Sequence, residues 1–233
     1  MRLDRLISNS GYGTRSQIKD LIRSKRVLVN GTVITDAGFS VTEEDTISID
    51  GESINAQKYL YYLFDKPDGV LTAMEDKRLP TVADFVPENL KTMQLSPVGR
   101  LDFHTTGLLL LTNDGELSHR LTGPKFHVPK TYVVTYEGDP LDASIVLQFE
   151  SGLTLTDMKE GPIKLKPARL ELLSDNSCKI TLFEGKTHQV RRMLAHFDRS
   201  VITLSRIAIG PIKLNEPNRS GSGLFTELSC QQR

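Results

Sequence analysis

Apolar residues along the chain recur first at helical and then at strand spacing. Leu3, Leu6 and Ile7 share one face of a helix, as do Ile18, Leu21 and Ile22 in a segment that opens at Thr14, a residue suited to cap a helix. Two short β-branched runs follow in "RVLVNGTVI", joined by Asn30-Gly31, the dipeptide that favours a tight hairpin. "DTISIDG" alternates as a further strand. The order helix, helix, hairpin, strand defines a small N-terminal unit over residues 1–55. "GESINAQK", residues 51–58, has no period and is expected to be a linker.

The second unit, residues 56–233, begins with the aromatic-rich strand of "YLYYLFDKPDG", stopped at Lys66-Pro67 and turned by Asp68-Gly69. Leu108 to Leu111 form an unbroken apolar run, which predicts a buried strand closed by Asn113-Asp114-Gly115. "GELSHRLTG" predicts a short helix, "KTYVVTYEG" a strand, and "DASIVLQFESG" a helix stopped by Gly152. "ARLELLSDNSCKITLFEG" predicts a strand hairpin. "THQVRRMLAHF" predicts an amphipathic helix with Val190, Met193, Leu194 and Phe197 inward, and "VITLSRIAIGPIKL" further strands. Strands outnumber helices without regular βαβ units. The expected class is therefore α+β: a small N-terminal α/β unit, then a larger domain with a mainly antiparallel mixed sheet flanked by helices and loops.

Composition narrows the class further. Of 233 residues, 38% are hydrophobic and 25% charged, as in ordinary globular proteins. No apolar run is long enough for a membrane span, and the first ten residues carry Asp4 and lack the apolar core of a secretory signal. A cytoplasmic protein with no membrane partner is expected. Cys178 and Cys230 are far apart and form no CxxC, which gives no support to a disulfide framework or a zinc site.

The formal net charge is zero, but its distribution is uneven. Through residue 31 the bases Arg2, Arg5, Arg15, Lys19, Arg23, Lys25 and Arg26 face only Asp4 and Asp20, a balance of +5. Residues 32–55 then carry six acids and no base. The basic segment reads either as a solvated helical face or as a surface that docks folded RNA through phosphates.

Candidate chemistry centres on "GRLDFHTTGLLLLTNDG", residues 99–115. Asp102 lies in a loop just before the buried strand. Such an acid reads either as a turn or surface ion pair, or as a carboxylate held on a rigid scaffold and aimed at a ligand. Arg191 and Arg192 in "EGKTHQVRRML" read as a solvated face, or as a partner for a buried carboxylate and a phosphate contact respectively. Tyr132 shares a strand face with Val134 and Tyr136, and reads as sheet packing or as a platform for a base taken out of its stack. The five histidines show no HExxH spacing, and the chain has no GxGxxG, P-loop, GxSxG or cysteine-nucleophile motif. No metal and no nucleotide cofactor are expected.

Taken together, these segments resemble the RsuA-type family of rRNA pseudouridine synthases over essentially the whole chain. Residues 1–55 resemble an S4 RNA-binding domain, "KPDGV" the family's first motif, and residues 99–115 its catalytic motif. "KTYVV", "EGKTHQVRRM" and "LSRIAIGPI" resemble the remaining motifs. The glycine before Arg100 favours this branch over the RluA-type branch. The resemblance implies isomerisation of uridine to pseudouridine without a cofactor, with Asp102, Tyr132 and Arg191 catalytic and Arg191 paired with Asp102. It implies substrate contacts from Lys66, Arg100, His104, Thr105, Lys130, Arg192 and Leu204, and RNA docking by the seven N-terminal bases. The expected partner is rRNA, small-subunit 16S rRNA or a partly assembled subunit, acted on by a monomer. Large-subunit rRNA and a silent RNA-binding assembly factor are the alternatives.

Overall fold

The computed structural model describes residues 1–42, 44–54, 59–157, 161–214 and 221–228. Helices α1 (Leu3–Asn9) and α2 (Arg15–Arg23) open the chain. Thr14 caps α2 as expected: its hydroxyl accepts the Gln17 N–H, and the Gln17 side chain accepts the Thr14 N–H at 2.8 Å. Leu3, Ile7, Ile18 and Ile22 pack onto Val27, Val29 and Ile47. These belong to strands β1 (Val27–Val29), β2 (Thr32–Val33), β3 (Ile47–Ile49) and β4 (Glu52–Ile54), in the order β2-β1-β3-β4. Asn30 and Gly31, at φ 49° and 77°, supply the left-handed pair that the β1–β2 turn requires.

Part of the expected linker is strand. Asp50 and Gly51, at φ 53° and 87°, turn β3 into β4, and Ile54 packs on the small core. With only Ile54 apolar among Glu52, Ser53 and Ile54, β4 has no readable alternation. The available signal was the Asp-Gly turn. Residues 55–58 lie outside the described residues.

The larger unit carries β5 (Tyr61–Lys66), β6 (Ser96–Pro97), β7 (Thr106–Thr112), α3 (Gly115–Thr122), β8 (Lys130–Glu137) and α4 (Ala143–Ser151). Then come β9 (Thr154–Asp157), β10 (Gly161–Lys164), β11 (Arg169–Ser174), β12 (Ser177–Leu182), α5 (Gln189–Ala195), β13 (Ser200–Ile209), β14 (Ile212–Lys213) and β15 (Phe225–Glu227). Among the described residues the main sheet runs β11-β12-β8-β13-β7-β5-β15, with β14 beside β13 and β6 beside β7. Only β13 and β7 pair in parallel, so the sheet is mixed and mainly antiparallel, as expected. The β9–β10 hairpin, β15 and two 3-10 turns (Val82–Phe85 and Glu88–Met93) are additions, all short and without clear periodicity.

The four-leucine run is apolar throughout because both of its faces are covered. Leu109 and Leu111 pack with Tyr62, Phe64 and Val82, while Leu110 packs with Val98 and Leu228. A separate cluster joins Val134, Tyr136 and Ile180 to Phe149 of α4 and to Met193 and Leu194 of α5. Among the described residues no helix is long and apolar enough to cross a membrane.

Where β7 meets β13, Gly107 stands at φ +94°, and a Cβ there would lie 2.4 Å from the Arg206 carbonyl oxygen and 2.7 Å from Ser205 Oγ. Gly107→Ala is expected to lower unfolding free energy by about 3 kcal/mol, combining backbone strain with overpacking. Urea unfolding followed by circular dichroism measures it. Gly115→Ala, where a Cβ meets no atom within 4 Å, should show a much smaller change.

Candidate active site

The loop from Leu101 to Thr105 joins the turn at Gly99 to β7. The carbonyls of its first four residues each accept a hydrogen bond, three of them from other parts of the chain. Leu101 receives the Thr72 hydroxyl at 2.7 Å, Asp102 the Thr105 N–H at 3.0 Å, and His104 the Arg191 Nη2 at 2.8 Å. Phe103 receives both the Gly69 N–H at 3.1 Å and the Lys66 ammonium at 3.2 Å. Leu101 N–H also donates to Thr72 Oγ1 at 3.1 Å. The backbone beneath Asp102 is thus fixed while its carboxylate stays 39% exposed.

The Asp102 carboxylate stands where two hollows meet. One, of about 560 Å³, is also lined by Arg100, Thr105, Lys130, Tyr132, Leu204 and Arg206. The other, of about 860 Å³, is lined by Phe103, His104, Val133, Arg191, Ile202 and Ile207. His188 and Leu204 border both.

The expected ion pair between Arg191 and Asp102 is not formed. Arg191 donates to the carbonyls of His104 and Val201, so it braces the loop and β13. The cationic-capable group nearest Asp102 is His188, whose Nε2 lies 3.6 Å from Oδ1. That distance serves an ion pair and exceeds a hydrogen bond. His188 reaches the carboxylate because it takes a left-handed conformation, φ 50°, at the start of α5. The preceding turn is held by buried Glu184, which accepts the Lys166 N–H and the Gln189 side-chain amide, each at 2.9 Å.

Other expected substrate contacts divide. Arg100 is exposed at the rim of the smaller hollow, and Leu204 packs at its wall. Lys130 is half-buried there and donates to the Val128 carbonyl at 3.1 Å. Burial, then repulsion from Arg206, lowers its pKa. Thr105 is buried and its hydroxyl has no hydrogen-bond partner. His104 is exposed and bonds Asp68 at 3.1 Å. Arg192 lines neither hollow. Lys66 is fully buried, with its ammonium on the carbonyls of Pro67 and Phe103, so it supports the loop from within. Burial pushes its pKa down to about 8, against the opposing pull of Asp68 and Asp102.

Arg206 was missed by sequence reasoning, although it lies in a quoted motif. Its signal was a lone base inside an apolar strand.

The N-terminal bases also divide. Arg2 clamps the buried carboxylate of Asp4 with bonds of 3.1 and 3.0 Å, and this pairing holds Asp4 below the usual carboxylate range. Arg26 is paired with Asp50, and Arg23 lies 3.7 Å from Asp20. Among the described residues Arg5, Arg15, Lys19 and Lys25 form no ion pair. Arg5, Arg15 and Lys25 are exposed, and Lys19 is partly so.

A pinned acid beside a hollow with a tyrosine in its wall, and exposed bases in the N-terminal unit, suit an enzyme that acts on RNA. Residues 60–196 match the family described as RNA pseudouridylate synthase, and residues 1–47 match the S4 domain. The ribosomal small subunit pseudouridine synthase A of Haemophilus influenzae is 37% identical, over 95% of this chain and 94% of that protein. The ribosomal large subunit pseudouridine synthase B of Bacillus subtilis is 38% identical, over 88% and 84%. A crystal structure of a pseudouridylate synthase aligns with TM-score 0.66 and 35% identity, over 99% of this chain and 97% of that one. The chain belongs to the RNA pseudouridine synthases, in their RsuA-type branch, and carries an N-terminal S4 domain.

Lys66 gives a pH signature. An unfolded lysine titrates near 10.5 and the folded one near 8, so between these values the unfolded chain binds more protons and stability rises with pH. The contribution across that window is on the order of 3 kcal/mol. Urea unfolding at pH 7.5 and pH 10 should show the wild type gaining relative to Lys66→Met. An equal pH response in both proteins would remove the buried ammonium as its source.

Proposed function

We propose that this enzyme converts a uridine of small-subunit (16S) rRNA to pseudouridine, with Asp102 as the catalytic carboxylate. The observation that carries the assignment is the placement of Asp102: a solvent-accessible carboxylate on a backbone pinned at four successive carbonyls, at the edge of the 560 Å³ hollow. A flipped uridine enters that hollow, its ring against Tyr132 and Leu204. The C1′–N1 bond breaks and its electron pair leaves on the uracil. Asp102 takes up the ribose, either by bonding C1′ or by removing the C2′ proton. The ring turns and C5 bonds C1′ as the Asp102–C1′ bond breaks or, on the other route, as Asp102 returns the proton to C2′; Tyr132 assists loss of the C5 proton as N1 gains one. Product and substrate are isomers, so the chemistry needs no cofactor.

The small-subunit target is supported by the more complete match to the Haemophilus protein, whose name states that substrate. The large-subunit relative keeps 23S rRNA as the second reading. The unit of residues 1–55 docks the RNA through Arg5, Arg15, Lys19 and Lys25, the bases without an acid partner among the described residues. The enzyme acts as a cytoplasmic monomer on rRNA or a partly assembled subunit.

Incubation with unmodified 16S and 23S transcripts, followed by carbodiimide-stop primer extension, should place one new stop in 16S rRNA. A stop in 23S rRNA alone overturns the small-subunit target. Asp102→Asn should lower the single-turnover rate by about 1000-fold or more while RNA affinity is kept. Tritium release from 5-tritiated uridine RNA measures it, and activity within about tenfold of wild type removes Asp102 from the mechanism. Neutralising Arg5, Arg15, Lys19 and Lys25 together should reduce the slope of log affinity against log salt by about one unit for each phosphate that no longer meets a cation. An unchanged slope in filter binding leaves those charges as a solvated face.

A further inference from the structure

Arg206 is 2% exposed, in the middle of the sheet, and lines the same hollow as Asp102. Its Nε donates to the Leu108 carbonyl at 2.8 Å, and its Nη2, itself buried, has no hydrogen-bond partner among the described residues. The Tyr132 hydroxyl lies beside the guanidinium and favours its charge, while burial opposes it. Among the described residues no carboxylate forms an ion pair with Arg206. Arg206 also repels Lys130, a second cation in the same wall.

A buried cation without a counter-charge is costly, and in the described fold only neutral groups, the Leu108 carbonyl and the Tyr132 hydroxyl, offset it. A group that enters the hollow with negative charge or a strong acceptor oxygen would complete it. Of the acids in that wall, Glu184 is occupied by Lys166 N–H and the Gln189 amide, and Asp102, 39% exposed, forms no ion pair with Arg206. The acid is thus the more exposed of the two charges in this hollow and the cation the buried one.

Resting on the reading that a uridine enters this hollow, we propose that Arg206 binds a carbonyl oxygen of the uracil and stabilises the uracil anion formed when the glycosidic bond breaks. When C1′–N1 cleaves, the electron pair leaves on N1 and spreads over O2 and O4, while Asp102 either bonds C1′ or takes the C2′ proton. The base carries one negative charge until C5 bonds C1′. A preorganised N–H donor in a buried site is strongest toward such developing charge. Arg206 is then a catalytic residue that the base touches, and the Tyr132 hydroxyl keeps its guanidinium in place. A backbone phosphate is the less fitting occupant, because it stays at the rim, where Arg100 is exposed.

Two measurements test this. Calorimetric titration of the full-length wild type should show 5-nitrouracil, an anion at neutral pH, binding about tenfold or more tighter than neutral uracil, with the preference lost in Arg206→Gln. Equal binding of the two bases, or no detectable binding of the anion, overturns the proposal whatever the variant does. In single turnover at saturating RNA, Arg206→Gln should be slower by about 100-fold with the RNA dissociation constant within about threefold, and Arg206→Lys should recover part of the rate. A saturated rate that stays at the wild-type level, with weaker binding and a smaller salt slope, assigns Arg206 to a phosphate and overturns the uracil contact. Wild-type protein that forms no pseudouridine in any rRNA would instead sink the functional reading, so the two failures are separable.

Discussion

A charged group taken out of water has to be met by oriented dipoles, and the Lys66 ammonium is met by the carbonyls of Pro67 and Phe103. That single requirement ties the end of β5 to the loop that carries Asp102. Once Phe103 is held, the neighbouring carbonyls fall within reach of Thr72, Thr105 and Arg191. A loop of five residues thereby becomes as determined as a strand. The carboxylate can face solvent without wandering, because order is supplied beneath it.

The same economy explains the parallel pairing of β13 with β7. Thr106 and Gly107 lie opposite Ser205 and Arg206, which brings the loop that carries Asp102 and the last long strand into one wall. Gly107 permits the approach because a side chain there would strike the Arg206 backbone. The result places an acid and a cation in one hollow, and among the described residues the two form no ion pair. Arg191, which could have quenched the acid, is occupied by two backbone carbonyls.

In the N-terminal unit the acidic stretch answers part of the basic one. Asp50 takes Arg26, while Asp45 accepts the Thr42 N–H and the Asn30 side chain, each at 2.7 Å. Asp4 takes Arg2 from inside the core. The surplus of positive charge available to RNA is therefore smaller than a count along the chain suggests, and it is concentrated on Arg5, Arg15, Lys19 and Lys25.

The helix cap at Thr14, the Asn30-Gly31 turn, the buried Leu108–Leu111 strand and the mixed, mainly antiparallel sheet were all legible along the chain. Each rests on interactions among residues close in sequence, or on a periodicity that burial imposes. The family was legible too, because the motif around Asp102 is one continuous stretch. What stands around that carboxylate was not. Strand β4 lacked a period, and Arg191, His188 and Arg206 found their partners through strand register, a left-handed residue and the packing of segments about a hundred positions apart. An arginine's sequence neighbours do not say whether its charge will meet a carboxylate, a carbonyl or an empty hollow. Only the packed structure sets that distance, and electrostatic and hydrogen-bond energies depend on distance far more steeply than on residue type.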